Sequence, residues 1–431
     1  MHANRKRVMQ QGLLGGLCLM LFMGLWPADG LAIPVFARKY DLSCAACHAA
    51  VPRLNAFGEQ FVASNLRLPN WKDGTVSGGD DLLSLPKSVP LSVRAQAYVQ
   101  TRDAKTIDVN TGEAGAANPD IQGPYMVKLH SSAPLSANIS YYFYAIFAEK
   151  GANGEVIVED AWFSYDDLFG SGAGLMLGQY QVSDLMFPRE VRMTFQDYMV
   201  YRMAGLTYDR GIQFGRAFGP VDVAFGWVNG SGIENNYTIN SPGYKRHDHL
   251  FDNNSGKAFY GRVGFDLAVM NVGLFGYRGS QKNAISGSTT RGPRDTPKIA
   301  YGVDASGKIG DKVWWYAQGI WNRWDDFINV GTRYEWFGAF AGVDYVHSPR
   351  WTFSALYNFA DAQDLNNTDT VFEGIDINTL TLTASYYFMR NVKGILEVNG
   401  DFQATESQTG NLYTGHLTKE NYALVGFDAA F

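Results

Sequence analysis

Beyond residue 90 this chain reads with a period of two, and its alternating segments are joined by connections that are short and long by turns. Sixteen segments can be placed, near 91–102, 123–131, 135–148, 156–166, 173–181, 211–218, 221–230, 257–270, 271–279, 297–309, 312–322, 332–345, 350–361, 378–389, 391–402 and 420–431. Short turns fall at Ser132-Ala133-Pro134, Gly219-Pro220, Met270-Asn271, Gly310-Asp311, Ser348-Pro349 and Arg390-Asn391. Long connections fall at 103–122, 182–210, 231–256, 280–296, 362–377 and 403–419. An even number of antiparallel strands with short turns at one end and long loops at the other is the pattern of a transmembrane β-barrel. A soluble sandwich has no reason to alternate in this way.

The two faces of the strands differ in polarity. Leu380, Leu382, Ala384, Tyr386 and Phe388 alternate with Thr379, Thr381, Thr383 and Ser385, and Val221, Val223, Phe225 and Trp227 are offset from Asp222 and Gly226. In a membrane the apolar set faces lipid and the polar set faces the lumen. Aromatic residues make up 14% of the chain and Gly reaches 47, yet no apolar run after the first 32 residues is long enough for a membrane helix. Val425, Phe427, Ala429 and Phe431 alternate to an aromatic end, which resembles the terminal signal of outer-membrane barrels. Trp314, Trp315, Trp321, Trp336 and Trp351 are expected in the interfacial girdles. The expected fold is all-β, a porin-like antiparallel barrel of about 16 strands over 91–431 in an outer membrane of Gram-negative type.

Residues 1–32 read as a secretory signal peptide. Arg5, Lys6 and Arg7 form its basic end, Leu13 to Trp26 its apolar run, and Gly30-Leu31-Ala32 its cleavage site. Removing Arg5, Lys6, Arg7 and Asp29 takes the formal charge from −6 to about −8. A mildly acidic chain without a basic stripe is a poor nucleic-acid binder.

The chemistry concentrates in Cys44-Ala45-Ala46-Cys47-His48. Cys-x-x-Cys-His is the attachment pattern for one covalent haem c. The thiols bond the vinyl groups, and His48 is placed as the proximal iron ligand. A redox dithiol or a structural disulfide would use the same two cysteines. A zinc site would need more ligands, and no other Cys or His falls between residues 49 and 129. Residues 33–90 are too few for an independent core. They read as a short, mostly irregular and helical haem-bearing cap or plug of the barrel, with the haem on the periplasmic side or in the lumen.

No Met or His occurs between residues 49 and 125, so a distal ligand has to come from the barrel. His130, in phase with Met126 and Lys128 near a short turn, is the first candidate. Met389, in phase with Thr381, Thr383 and Ser385, is the second. His247, His249 and His416 fall in long loops and are expected to be distant. The loop 182–210 carries Arg189, Glu190, Arg192, Asp197 and Arg202 among Phe187, Phe195, Tyr198 and Tyr201. An inward constriction and a solvated loop are both open for it, so no site role is assigned. No hydrolytic triad, phosphate loop or metal-ligand cluster stands out.

A leader, one Cys44-x-x-Cys47-His48 motif and a barrel together resemble the fused monohaem cytochrome–porins of iron-oxidising bacteria. The flanks Phe36-Ala37-Arg38-Lys39-Tyr40 and Leu54-Asn55-Ala56-Phe57-Gly58 share in that resemblance. It implies electron transfer across the outer membrane from Fe(II) or another small external redox species. The receiving partner would be a periplasmic carrier, a cytochrome or a copper protein, and the chain would act as an electron-transfer protein or ferrous-iron oxidase. A diffusion porin with a haem-bearing structural or sensory plug, and electron export to an external acceptor, remain alternatives. Many sixteen-stranded porins are trimers, so a homotrimer is open as well.

Overall fold

The structure is a computed structural model that describes residues 34–68, 78–79, 84–85, 90–102, 106–107, 114–115, 119–149, 156–230, 232, 254–284, 294–366, 368, 376–389, 391–402 and 421–431. The expected leader and the loops carrying His247, His249 and His416 lie outside the described residues. A closed barrel of sixteen antiparallel strands follows a small N-terminal unit. The strands are β1 Leu91–Arg102, β2 Asp120–Pro134, β3 Ile139–Glu149, β4 Ile157–Tyr165, β5 Gly174–Gln181, β6 Tyr208–Phe218, β7 Val221–Val228 and β8 Ala258–Asp266. They continue as β9 Met270–Lys282, β10 Asp295–Ile309, β11 Val313–Asp325, β12 Arg333–Val346, β13 Trp351–Asp361, β14 Ile377–Met389, β15 Val392–Asp401 and β16 Tyr422–Ala430. Each expected strand is found, with its ends moved by a few residues.

Every barrel strand pairs with its neighbours in sequence, and β16 pairs with β1 to close the ring. Phe431 extends the seam, exchanging backbone hydrogen bonds with Val93 at 2.8 and 2.9 Å. Closure removes the free edges that a sheet would otherwise present and satisfies the backbone internally, as hydrocarbon surroundings require. The connections 135–138, 166–173, 219–220, 267–269, 310–312 and 347–350, and Asn391 before β15, lie at the end where the N-terminal unit enters.

Side chains follow the two-residue period. Thr379, Thr381, Thr383 and Ser385 of β14 are buried in the lumen, whereas Leu382 is exposed. Phe225 and Trp227 of β7 likewise face out, with Phe163, Phe259, Leu274 and Phe353 on other strands. An apolar exterior around a polar interior inverts the soluble pattern and suits lipid. Two of the tryptophans expected in the girdles point the other way. Trp314 and Trp336 are buried inside, Trp336 packing on Trp324 with ring centroids 5.6 Å apart. They share the inward parity of Tyr316 and Phe340, while Trp315 and Trp321 keep the outward one.

Residues 182–207 fold into the barrel, which decides between the two readings of that loop. Its one α-helical turn, Met199–Met203, packs Tyr198, Val200, Tyr201 and Leu206 against Tyr316, Phe340 and Leu356. Tyr198 stacks on Phe340 at 4.5 Å. The fully buried carboxylate of Glu397 on β15 accepts from the backbone of Phe195 at 2.6 Å and Gln196 at 2.9 Å. It also accepts from Thr383 and Tyr422, each at 2.6 Å. Asn358 accepts from the Met199 amide at 3.2 Å and donates to the Asp197 carbonyl at 3.1 Å. The apolar core formed this way runs from Phe327 and Leu365 at the long-loop end down to Tyr180.

Candidate functional site

The N-terminal unit is built around the two-cysteine turn. Helix α1, Pro34–Tyr40, packs Phe36 and Tyr40 edge-on against Phe61 of helix α2, Ala56–Ala63, at 5.1 and 5.6 Å. Tyr40 donates to the Leu66 carbonyl at 2.9 Å. Between the helices, Cys44–Ala46 form one 3-10 turn that runs into Cys47 and His48. Asn55 ties this turn to α2. Its side chain caps the helix by accepting from the Gly58 amide at 2.9 Å, and donates to the carbonyls of Ala45 at 3.2 Å and Ala46 at 3.0 Å. Its backbone amide donates to the Cys47 carbonyl at 2.9 Å. Cys44 is buried, Cys47 half-buried, and the two form no disulfide.

His48 is oriented for a ligand. Its Nδ1 lies 3.1 Å from the Pro52 carbonyl, which accepts only, so Nδ1 carries the proton and Nε2 the lone pair. A backbone carbonyl on the far ring nitrogen is the usual way a metal-ligating histidine is aimed. Burial also pushes the imidazole pKa down, which favours the neutral ring.

The unit sits in the short-turn mouth of the barrel. Arg53 pairs with Asp344 of β12 and Arg67 with Asp166 beyond β4. Lys308 of β10 reaches Glu59 at 3.0 Å, and Ser140 of β3 donates to the Asn65 carbonyl at 2.7 Å. Trp314 packs in one buried cluster with Ala50 of this unit and Met193 of the inward loop.

Between unit and barrel lies a cavity of about 500 Å³, within the range of cofactor pockets. The unit lines it with Cys44, Cys47 and His48 and with apolar groups such as Leu42, Leu54 and Phe61. The barrel supplies His130 of β2, one of the two ligands expected from the barrel wall. His130 packs against Tyr142 at 4.6 Å, and Tyr142 stacks on Trp162 at 5.2 Å. Among the described residues the buried His130 Nε2 has no hydrogen-bond partner, and a buried polar atom left so costs about 1–3 kcal/mol.

Met389 is not brought to the cavity. A bulge between Tyr387 and Met389 shifts the register of β14 against β15, as an inserted residue does. Tyr387 lines the cavity while Met389 turns outward, 50% exposed. The charged wall was not singled out in the sequence. Arg94, Lys128, Lys393 and Asp428 come from β1, β2, β15 and β16, with Asp160 from β4. The inward loop adds Asp184 and Glu190. Burial pushes the Asp184 carboxyl up to about 7. Burial acts the same way on Glu190, but Lys128, Arg94 and Arg189 outweigh it and hold that carboxyl low. Charged residues at inward-parity positions on the strands nearest the motif were the available signal.

Comparison with solved structures bears on the fold alone. The anion-selective porin from Comamonas acidovorans superposes with a TM-score of 0.51 at 15% identity, covering 80% of this chain and 99% of that one. The outer membrane channel DcaP of Acinetobacter baumannii gives 0.53 at 11% identity, over 79% of this chain and 96% of that one. In vitro folded OmpT of Vibrio cholerae, in its trimer form, gives 0.50 at 13%, over 80% and 99%. The chain has the porin fold. No protein-family model matches it, and no curated protein matches it in sequence.

Proposed function

We propose that this porin-like chain is an outer-membrane c-type cytochrome that carries single electrons through one covalently held haem. The observation that carries the reading is the cavity. It gathers two thiols, an oriented His48 and a His130 Nε2 unpartnered among the described residues around a space of cofactor size, apolar on the unit's side and charged on the barrel's. Cys44 and Cys47 would hold the macrocycle, and His48 and His130 would be the side chains available to bind its iron. Bound haem supplies a one-electron couple.

The protein's own part is placement. Asn55 fixes the two-cysteine turn, Pro52 aims His48, and Tyr142 packs on the ring of His130. The ion pairs of Arg53 and Arg67 seat the unit in the mouth. We take Fe(II), or another small external redox species, as the donor, and a periplasmic cytochrome or copper protein as the acceptor. Fe(II) leaves as Fe(III), and its electron passes to that acceptor. The porin fold of the neighbours favours an outer-membrane location, and the trimer form of one of them makes a homotrimer the assembly to look for.

The test is the visible spectrum of the oxidised protein in detergent before and after Fe(II) is added. Covalent haem bands that pass to the reduced form on mixing support iron oxidation. Bands that answer only to a strong artificial reductant remove iron as donor and favour electron export or a plug. Absent bands remove the haem reading. A passive channel is the second reading, favoured by the anion-selective porin among the neighbours. Ion conductance across a planar bilayer would reveal it.

A further inference from the structure

Just inside the mouth, three cations occupy neighbouring strands. Arg94 on β1 stands in register opposite Lys128 on β2, and Lys393 on β15 opposite Asp428 on β16. These four strands are consecutive around the ring. All four side chains line the cavity that holds Cys44, Cys47, His48 and His130.

Like charges directly opposite across two strands are destabilising, and buried charges need partners. The partners fall short. Asp428 serves two cations: Arg94 with Nε at 2.9 Å and Nη2 at 2.6 Å, and Lys393 with Nζ at 3.6 Å, beyond hydrogen-bond length. Gln96 also donates to Asp428 at 3.1 Å. Lys128 has Glu190 at 3.4 Å and the ring of Tyr144 at 4.2 Å. Within ion-pair distance the three cations therefore share two carboxylates. The cavity wall also carries Asp160 and Asp184; among the described residues neither comes within ion-pair distance of the three, although the Lys128 charge acts on Asp160. The Lys393 side chain is only 7% exposed, so its ammonium has little water to make up the difference.

We propose that Arg94, Lys128 and Lys393 form an anion clamp for the two propionate carboxylates of the haem, setting which edge of the macrocycle faces the barrel. The inference rests on the haem reading above. Thiols on the unit's side take the vinyl groups, and the cations on the wall take the acidic edge. Lys128 and His130 are two residues apart on one face of β2, about 7 Å along the strand, so the clamp and the axial ligand belong to one wall. Cations held there disfavour the extra positive charge of the oxidised iron and raise the midpoint potential.

The experiment uses the holoprotein in detergent and reads two things. One is the propionate deformation band in the resonance Raman spectrum, and the other is the midpoint potential by spectroelectrochemical titration. Lys393→Gln and Lys128→Gln are expected to keep the covalent haem bands, shift the propionate band and lower the potential. The shift should change the oxidised-to-reduced ratio several-fold at fixed poise, tenfold corresponding to about 59 mV for one electron. Lys298→Gln is the control, because Lys298 of β10 lies outside the cavity with its amine 3.4 Å from the Gly205 carbonyl. It should move neither reading. A propionate band unmoved in both clamp variants overturns the proposal while leaving the haem in place. Should those variants fail to fold, Asp428→Asn keeps the cations and must raise the potential, and a fall overturns the clamp. Wild-type protein without haem bands would instead remove the reading beneath it.

Discussion

A methyl group on Gly58 would overlap the carbonyl oxygen of Cys47. Helix α2 thus lies on the two-cysteine turn at a distance only glycine permits, and the same carbonyl already accepts the Asn55 amide. Gly58→Ala is expected to push turn and helix apart at about 1–3 kcal/mol, the usual cost of overpacking. On the haem reading, haem-stained protein should fall relative to total barrel, and the melting temperature with it. Unchanged attachment and melting would show that the close approach is not needed.

If the protein holds haem as proposed, His130→Ala should keep it covalently attached, because Cys44, Cys47 and His48 remain. The sixth position should then open, with altered visible bands, a shifted midpoint potential and new binding of carbon monoxide or cyanide. Met389→Ala should change none of these, since Met389 faces outward. If His130→Ala has a wild-type spectrum and potential, the distal assignment is wrong.

The Asp344 side chain is 0% exposed, and Arg53 is its ion-pair partner from the N-terminal unit. Arg53→Ala leaves that carboxylate buried and uncompensated, which typically costs about 3–5 kcal/mol. The expected outcome is a loosened unit, seen as faster proteolysis of residues 34–68 with the barrel intact. Arg53→Ala with Asp344→Asn should recover much of the protection; no recovery would mean the pair does not seat the unit.

Asp197 ties the inward loop to itself through Arg189 at 2.7 Å and Arg192 at 2.5 Å, both within the same loop. Burial alone would raise its pKa, but the Arg192, Arg189 and Arg202 charges outweigh it and hold the carboxyl well below the usual carboxylate range. A depressed folded-state pKa means the stabilisation is complete above the unfolded value, about 3.9. It is lost only as pH falls through the lower folded one. Intrinsic tryptophan fluorescence should therefore hold steady from neutrality to about pH 4 and change only in stronger acid. Asp197→Asn should abolish that acid transition, and a transition centred near the ordinary carboxylate value in the wild type would contradict the assignment.

Period-two alternation found every strand of the barrel because one face is lipid and the other is not, so a register slip would expose the wrong set. The same phase counting placed His130 on the cavity wall. It failed for Met389, where a bulge after Tyr387 changes the parity within two residues. It misled for Trp314 and Trp336, since an aromatic residue suits both a girdle and a packed lumen. The inward fold of 182–207 could not be read locally. What holds it is Glu397, about two hundred residues away, meeting two backbone amides.

The cavity straddles the seam. Ser92, Val93 and Arg94 come from β1, and Asp428 and Ala430 from β16, strands at opposite ends of the barrel sequence that meet only when the ring is shut. A group bound across that joint therefore binds the closed cylinder and not the open sheet. By mass action it acts as a clasp, stabilising closure by as much as it prefers the closed form.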